Sequence, residues 1–348
     1  MSAPRRTARL PADVSAIAAA ARVLRGGGLV AFPTETVYGL GALALDEAAV
    51  ASVFAAKGRP SSDPLIVHLA DAADLAGVAS DLPPLALSLA ARLWPGPLTL
   101  VLPRHPYIPA AVSAGQQTVA VRVPDHPVAR ALIAAAGPLV APSANRFGRP
   151  SPTSAAHVLL DLDGRIDMVL DAGQTRVGVE STVLDLTSDP PRVLRPGGIA
   201  IELLRTLVPD LAYAPRYLAE ADAAPAPGML LRHYAPLAAM TLYDGPAERA
   251  LPAIRSAAAA RLARGERIGL LLPSAELAQL RDIPATYVDL GGDATVAATR
   301  LFDLLRQLDT ADVAGILARG FPRDGIGLAL WDRMVRAAEG RVVPGADH

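Results

Sequence analysis

Cysteine is absent from all 348 residues, which excludes disulfide frameworks, thiolate metal sites and a cysteine nucleophile. Aromatic residues amount to only 4%, too few for a surface that stacks on nucleic-acid bases. Neither sign of charge is in excess: 33 Lys and Arg against 34 Asp and Glu leave a formal net charge of −1. A global pull toward nucleic acid is therefore not expected, and any cationic site must be local. No uninterrupted apolar run reaches ~18 residues, so no membrane-spanning helix is expected. The first residues carry charge but no apolar stretch before Pro11 and Asp13. No secretory signal is read there, and the cytoplasm is the default location. Three motifs are also missing: the G-x-x-x-x-G-K-[ST] phosphate loop, H-E-x-x-H, and G-x-S-x-G. A nucleotide would need another cradle, and a serine hydrolase or a metal held by protein side chains alone is not expected.

What remains is a long apolar chain, 51% hydrophobic and 19% charged, sized for two domains with full cores. Its 32 prolines are about twice the usual ~5% share and fall in turns, which points to rigid loops. Residues 13–25 read as a helix capped by Asp13 and ended by Gly26-Gly27-Gly28. Short strands follow at 29–32, 65–69, 98–102, 118–123, 139–141, 167–170, 181–186 and 192–195, with helices from Asp46 and over 84–93. Strands outnumber helices, so this half reads as α+β with a mixed sheet. From about 205 to 236 the pattern breaks at Pro215, Pro225, Pro227 and Gly228, as in a proline-stiffened linker. Beyond it, strands (240–243, 268–272, 286–290, 313–317) alternate with helices (247–264, 274–281, 294–308, 327–338). That rhythm predicts a parallel, Rossmann-like α/β sheet. It lacks G-x-G-x-x-G after its first strand, so dinucleotide binding is not expected. The boundaries predicted are 1–207, a linker or lid at 208–238, and 239–348.

Polar residues that break the apolar pattern cluster at strand ends and loops, where sites usually form. Lys57 takes an i+7 place on the apolar stripe of Val50, Val53 and Phe54, where an ordinary lysine would snorkel to solvent. Arg59 follows two residues later, on a turn stiffened by Pro60 and Pro64. Two such cations suit a polyphosphate. Thr34-Glu35-Thr36, His68, Thr118 with Arg122, Ser143-x-Asn145 and Arg195 complete the set. Each has an ordinary explanation: turn residues, a core histidine, an exposed sheet face, a helix cap, a loop cover. Along strand 118–123, Thr118 and Arg122 share one face about 13 Å apart at ~3.3 Å per residue, within reach of one extended ligand.

The run from Gly28 to Ala70, Trp94-Pro95-Gly96-Pro97-Leu98-Thr99, Ser143-Ala144-Asn145 and Gly178–Thr182 resemble the YrdC-like domain. With His233-Tyr234-Ala235-Pro236 and the second α/β domain, the chain resembles the long, two-domain threonylcarbamoyl-AMP synthases over residues 13–340. The Lys-x-Arg…Ser-x-Asn signature stands intact. Trp331-Asp332-Arg333 departs from the expected hydrophobic-Asn-Arg. The resemblance implies a YrdC-like mixed twisted sheet with flanking helices, plus a Rossmann-like C-terminal domain. It implies a nucleotidyltransferase that condenses L-threonine, bicarbonate and ATP to threonylcarbamoyl-AMP and pyrophosphate, for threonylcarbamoyladenosine in tRNA. Lys57, Arg59, Ser143 and Asn145 would be catalytic. Thr36, His68, Arg122, Ala141 and Ser181 would surround threonine. Arg59, Asp63, Thr118, Ser143, Ser151, Arg195 and Tyr234 would contact ATP, with Mg2+ on its phosphates and no metal held by protein side chains alone. A lid over 225–236 would bring Tyr234 to the nucleotide. A downstream tRNA threonylcarbamoyl transferase would take the product, with no stable tRNA or membrane binding and a monomeric chain.

Three other readings compete. A concave cationic surface would also suit an RNA-binding protein. The same domain serves a carbamoyltransferase of hydrogenase maturation, which carries cysteine-rich zinc fingers that this chain lacks. A purely regulatory nucleotide sensor is the third. Threonine-dependent consumption of ATP separates the synthase from the RNA-binding reading.

Overall fold

A computed structural model describes residues 6–218, 226 and 228–344. The chain divides into two compact units, Met1–Phe147 with Ser151–Met229, and Gly148–Pro150 with Leu230–His348.

The first unit is built on one mixed sheet. Its strands are β1 (Ala8–Pro11), β2 (Val30–Phe32), β3 (Gly39–Leu43), β4 (Ile66–His68), β5 (Leu98–Pro103), β6 (Thr118–Arg122), β7 (Leu139–Val140), β8 (Met168–Asp171), β9 (Thr182–Asp185), β10 (Arg192–Arg195) and β11 (Ala212–Tyr213). They lie in the order β1-β8-β2-β3-β7-β4-β6-β5-β9-β10-β11. Its helices are α1 (Val14–Arg25), α2 (Glu47–Lys57), α3 (Pro84–Leu93), α4 (Pro127–Ala136), α5 (Ala155–Leu162) and α6 (Ile201–Leu207). The core between α1, α4 and the sheet gathers Leu24, Phe32, Leu132, Leu139 and Leu170.

The start signals act as their chemistry dictates. Asp13 and Asp46 accept hydrogen bonds from the first free amides of α1 and α2, which otherwise lack partners. Gly58 ends α2 at φ 63°, a left-handed conformation that glycine adopts without strain.

Strand β6 departs from the exposed-face alternative. It pairs with β4 on one side and β5 on the other, and Val119, Ala120, Val121 and Arg122 are all buried. Strand β1 and helices α4, α5 and α6 carry signals too short or too uniformly apolar to read from sequence.

The predicted linker is partly structured. β11 pairs with β10, the Leu218 amide donates to Met229 O at 3.0 Å, and Ala226 and Met229 are buried. Pro225 and Pro227 lie outside the described residues.

The second unit holds β12 (Ala239–Tyr243), β13 (Ile268–Leu272), β14 (Thr286–Asp289), β15 (Gly315–Ala318) and β16 (Val342–Val343), with α7 (Ala247–Ala263), α8 (Ser274–Leu277), α9 (Ala294–Thr310) and α10 (Ile326–Ala337). The order is β14-β13-β15-β12-β16, parallel throughout. The alternation of strand and helix forces this, because parallel neighbours need crossover connections. Among the described residues no helix is long and apolar enough to cross a membrane.

Candidate active site

The buried charges of the first unit are concentrated. Among its described residues, the buried Lys, Arg, Asp and Glu side chains are Glu35, Lys57, Arg59, Asp63, Arg122, Glu180 and Arg195. Removing a charge from water is costly unless it is paired, so a fold that gathers seven has a reason beyond stability.

Lys57 is 2% exposed and does not snorkel. It is the last residue of α2, and the left-handed turn at Gly58 sends the chain away while Nζ points inward. Nζ donates to Ser143 O at 2.5 Å and to Asn145 O at 2.6 Å. The two halves of the signature, 86 and 88 residues apart, are thereby joined through one ammonium. Burial pulls the Lys57 pKa well below its ordinary value, and neighbouring Arg59 adds to the effect. The Ser143–Asn145 loop is also pinned from β3: Gly39 bridges Ser143, and the Ala144 amide donates to Tyr38 O at 2.8 Å. Asn145 Nδ2 donates to Arg146 O at 2.8 Å. Ala141 sits one residue past β7, its amide on Ile66 O at 3.0 Å.

Arg59 folds back on its own turn. Its Nε and Nη2 donate to Asp63 O at 3.1 Å and Pro64 O at 2.7 Å, and Nη2 lies 2.9 Å from Asp63 Oδ1. Burial raises the Asp63 pKa, while Arg59, Lys57, Arg195 and the Gly228 amide work the other way. That last group belongs to the far end of the linker. On the neighbouring strands, Arg195 Nη2 donates to Ser181 O at 2.9 Å, and Ser181 Oγ meets Thr99 Oγ1 at 2.7 Å. Ser151 Oγ donates to Glu180 Oε1 at 2.5 Å. Gly197 permits this arrangement: a Cβ there would stand 2.3 Å from Glu180 O and 2.4 Å from Thr182 N.

Arg122 forms a second centre. Its Nε donates to Gly96 O at 3.2 Å and Nη1 to Thr36 Oγ1 at 3.0 Å. Nη2 is 2.6 Å from Glu35 Oε1, but as an ion pair without an aligned hydrogen bond. Thr36 is held in turn by Thr34, 2.8 Å between hydroxyls. The loop bearing Gly178 closes on this turn, with the Val177 and Gly178 amides on Glu35 O and Thr36 O. His68 pairs in register with Arg122 across β4 and β6. Burial, and next the Arg122 charge, lower its pKa to about 3, so its ring is neutral and Nδ1–H donates to Ile66 O at 3.1 Å.

The structure therefore links Thr36, His68 and Arg122 in one group, and Lys57, Arg59, Asp63, Ser143, Asn145, Ser181 and Arg195 in another. The turn between β2 and β3 joins the two, through Thr36 to Arg122 and Tyr38 O to Ala144. Thr118 stands half-buried at the opposite end of β6 from Arg122. Tyr234 belongs to the second unit, its ring packed on His233 and Phe302 with centroids 4.0 and 5.2 Å away. Four participants were not assigned roles from sequence: Glu35, Gly96, Thr99 and Glu180. All lie inside the quoted motifs, yet only contacts across strands reveal them. Among the described residues no group of three or more His, Asp or Glu side chains is arranged to hold a metal ion.

A family model of the Sua5/YciO/YrdC type, described as "Telomere recombination", matches residues 22–197. A second, "Threonylcarbamoyl-AMP synthase, C-terminal domain", matches 199–339. The chain is 44% identical over 326 residues to the threonylcarbamoyl-AMP synthase of Pyrococcus abyssi, covering 93% of this chain and 94% of that protein. It is likewise 44% identical over 333 residues to that of Bacillus subtilis, covering 94% of each. A crystal structure of P. abyssi Sua5 complexed with L-threonine superposes with a TM-score of 0.91 at 42% identity, covering 98% of this chain and 99% of that one.

Proposed function

The chain belongs to the Sua5/YrdC family of threonylcarbamoyl-AMP synthases, and from that premise we propose the chemistry its buried charges perform. It condenses L-threonine, bicarbonate and ATP into threonylcarbamoyl-AMP and pyrophosphate. The observation that carries this reading is the pairing of one buried guanidinium, Arg122, with a separate buried cation group, Lys57, Arg59 and Arg195. One suits an amino-acid carboxylate and the other a triphosphate.

In the proposed sequence the threonine carboxylate engages the Arg122 fork by displacing Glu35 from Nη2, an ion pair of 2.6 Å without an aligned hydrogen bond. Neutral His68 and the hydroxyls of Thr36 and Ser181 line the side chain, with Ala141 limiting its size. The deprotonated threonine amine adds to the carbon of bicarbonate, and loss of water leaves a carbamate. A carbamate oxygen then attacks the α-phosphorus, the P–O bond to the β-phosphate breaks, and pyrophosphate leaves in line. The protein supplies no covalent intermediate, so placement and charge neutralisation lower the barrier. Arg59 and Arg195 offset the nucleotide's charge, with Asp63, Thr118, Ser143 and Ser151 completing its contacts. Lys57 and Asn145 fix the Ser143 loop against the reacting groups. A magnesium ion carried in by ATP would share with Arg59 and Arg195 the neutralising of phosphate charge.

The segment around Gly228 acts as a lid that keeps water from the mixed anhydride. The Gly228 amide at Asp63 supports the approach of this segment to the Arg59 turn. The product is a reactive acyl phosphate, so a separate transferase must consume it on tRNA. Mass spectrometry of the product from 13C-bicarbonate, threonine and ATP tests the reading. It requires a labelled threonylcarbamoyl-adenylate formed in equal amount to pyrophosphate. ATP turnover that ignores threonine refutes it.

A further inference from the structure

The second unit carries a crevice that the condensation does not use. In an open parallel sheet ligands habitually sit beyond the carboxyl ends of the strands, and here the neighbours β15, β12 and β16 end side by side. A cavity of about 550 Å3 lies there, lined by Tyr243, Asp244, Arg319, Phe321, Arg323 and Trp331 among others, a size that suits a small-molecule ligand.

Its chemistry is distinctive for this chain. In a chain with only 2 Trp, 7 Tyr and 5 Phe, Trp331, Phe321 and the end of β12 at Tyr243 line this one cleft. Two guanidiniums join them. Arg323 lies over the Trp331 ring at 3.8 Å from its centroid, which holds its plane fixed. Its partner is Asp244, but the pair is 46% and 34% exposed. Such a pair is worth little and exchanges easily for a stronger anion. Arg319 is more deeply set, donating from Nη1 to Glu276 and from Nη2 to Gly245 O, while its Nε has no hydrogen bond among the described residues. No glycine fingerprint follows β12, so a pyrophosphate-bearing dinucleotide has no backbone cradle here.

We infer that this cleft binds a small anion bearing a planar ring, of the class of a purine mononucleotide. The phosphate takes Arg323 from Asp244, and the base lies against Phe321. The inference is independent of the catalytic reading. Its test is calorimetric titration of AMP into the full chain and into variants at Arg323 and Trp331, the heat lost in the variants assigning the site to the second unit. That variant-sensitive binding is expected below about 1 mM. Adenosine and orthophosphate, each carrying half of the recognition, bind at least about tenfold more weakly. Arg323→Leu and Trp331→Leu each weaken AMP by about tenfold or more and leave threonine-dependent turnover unchanged. Absence of AMP binding, orthophosphate binding as tight as AMP, or AMP binding undiminished in both variants overturns the inference.

Discussion

Replacing Lys57 by Met keeps the length of the side chain and deletes its donors. Two carbonyl oxygens, Ser143 O and Asn145 O, then lose charge-assisted bonds of 2.5 and 2.6 Å in a place where Lys57 is only 2% exposed. Leaving a buried acceptor without its donor costs about 1–3 kcal/mol each. Relief from burying the ammonium offsets part of that sum. The net expectation is a loss of about 2–4 kcal/mol, or roughly 6–12 °C in the melting of a unit this size. The loss should be local. Amide hydrogen exchange over 143–147 accelerates, because Phe147 donates to Lys57 O at 2.9 Å and shares the stitched loop. Turnover falls by orders of magnitude, since the loop carries Ser143 and Asn145. Arg in place of Lys keeps the charge but not the point geometry, and rescues poorly. A Lys57→Met chain that melts like the parent, with unchanged exchange at 143–147, refutes the stitching role.

Gly197→Ala puts a methyl 2.3 Å from Glu180 O, against backbone that cannot swing aside. It should cost about 3 kcal/mol in urea unfolding and raise the threonine KM by displacing Ser181; a stable variant with normal KM contradicts the packing. His68 titrates in the unfolded chain near 6.5 but in the fold only at about 3. The unfolded state therefore binds the extra proton, and stability is lost as pH falls through 6.5 toward 3, by about 3–5 kcal/mol. His68→Phe should flatten that acid limb, and an unchanged limb in urea titrations at several pH values denies the burial. Truncation after Met229 keeps β11 and the buried Met229 of the first unit while removing Tyr234, so free AMP should accumulate relative to adenylate product; an unaltered ratio by chromatography dismisses a protective role for the segment that follows.

Much of the fold was legible because local chemistry and tertiary demand agreed. Asp13, Asp46 and Gly58 set helix ends by themselves, and the strand–helix rhythm after Met240 leaves a parallel sheet as its outcome. The site was legible only as residue types out of place. Lys57 on an apolar stripe announced itself, but its target did not, since Ser143 O and Asn145 O are backbone atoms that any residue would offer. Arg122 looked like one member of an ordinary alternating face until β4 and β5 closed over both sides of β6. Glu35 was invisible as the ion-pair partner of Arg122, because that pairing depends on how the turn between β2 and β3 meets β6. Strand β1, four residues of exposed and half-exposed side chains, is specified by its partner β8 rather than by its own pattern.

The claim beneath all of this is that the Arg122 fork receives the carboxylate of threonine. Calorimetric titration of threonine into the parent chain and into Arg122→Gln, with circular dichroism confirming that the variant folds, addresses it directly. Saturable one-to-one binding by the parent and a loss of at least about 100-fold in the variant are expected for a buried charge-assisted fork. A folded variant that binds threonine as tightly as the parent would contradict it.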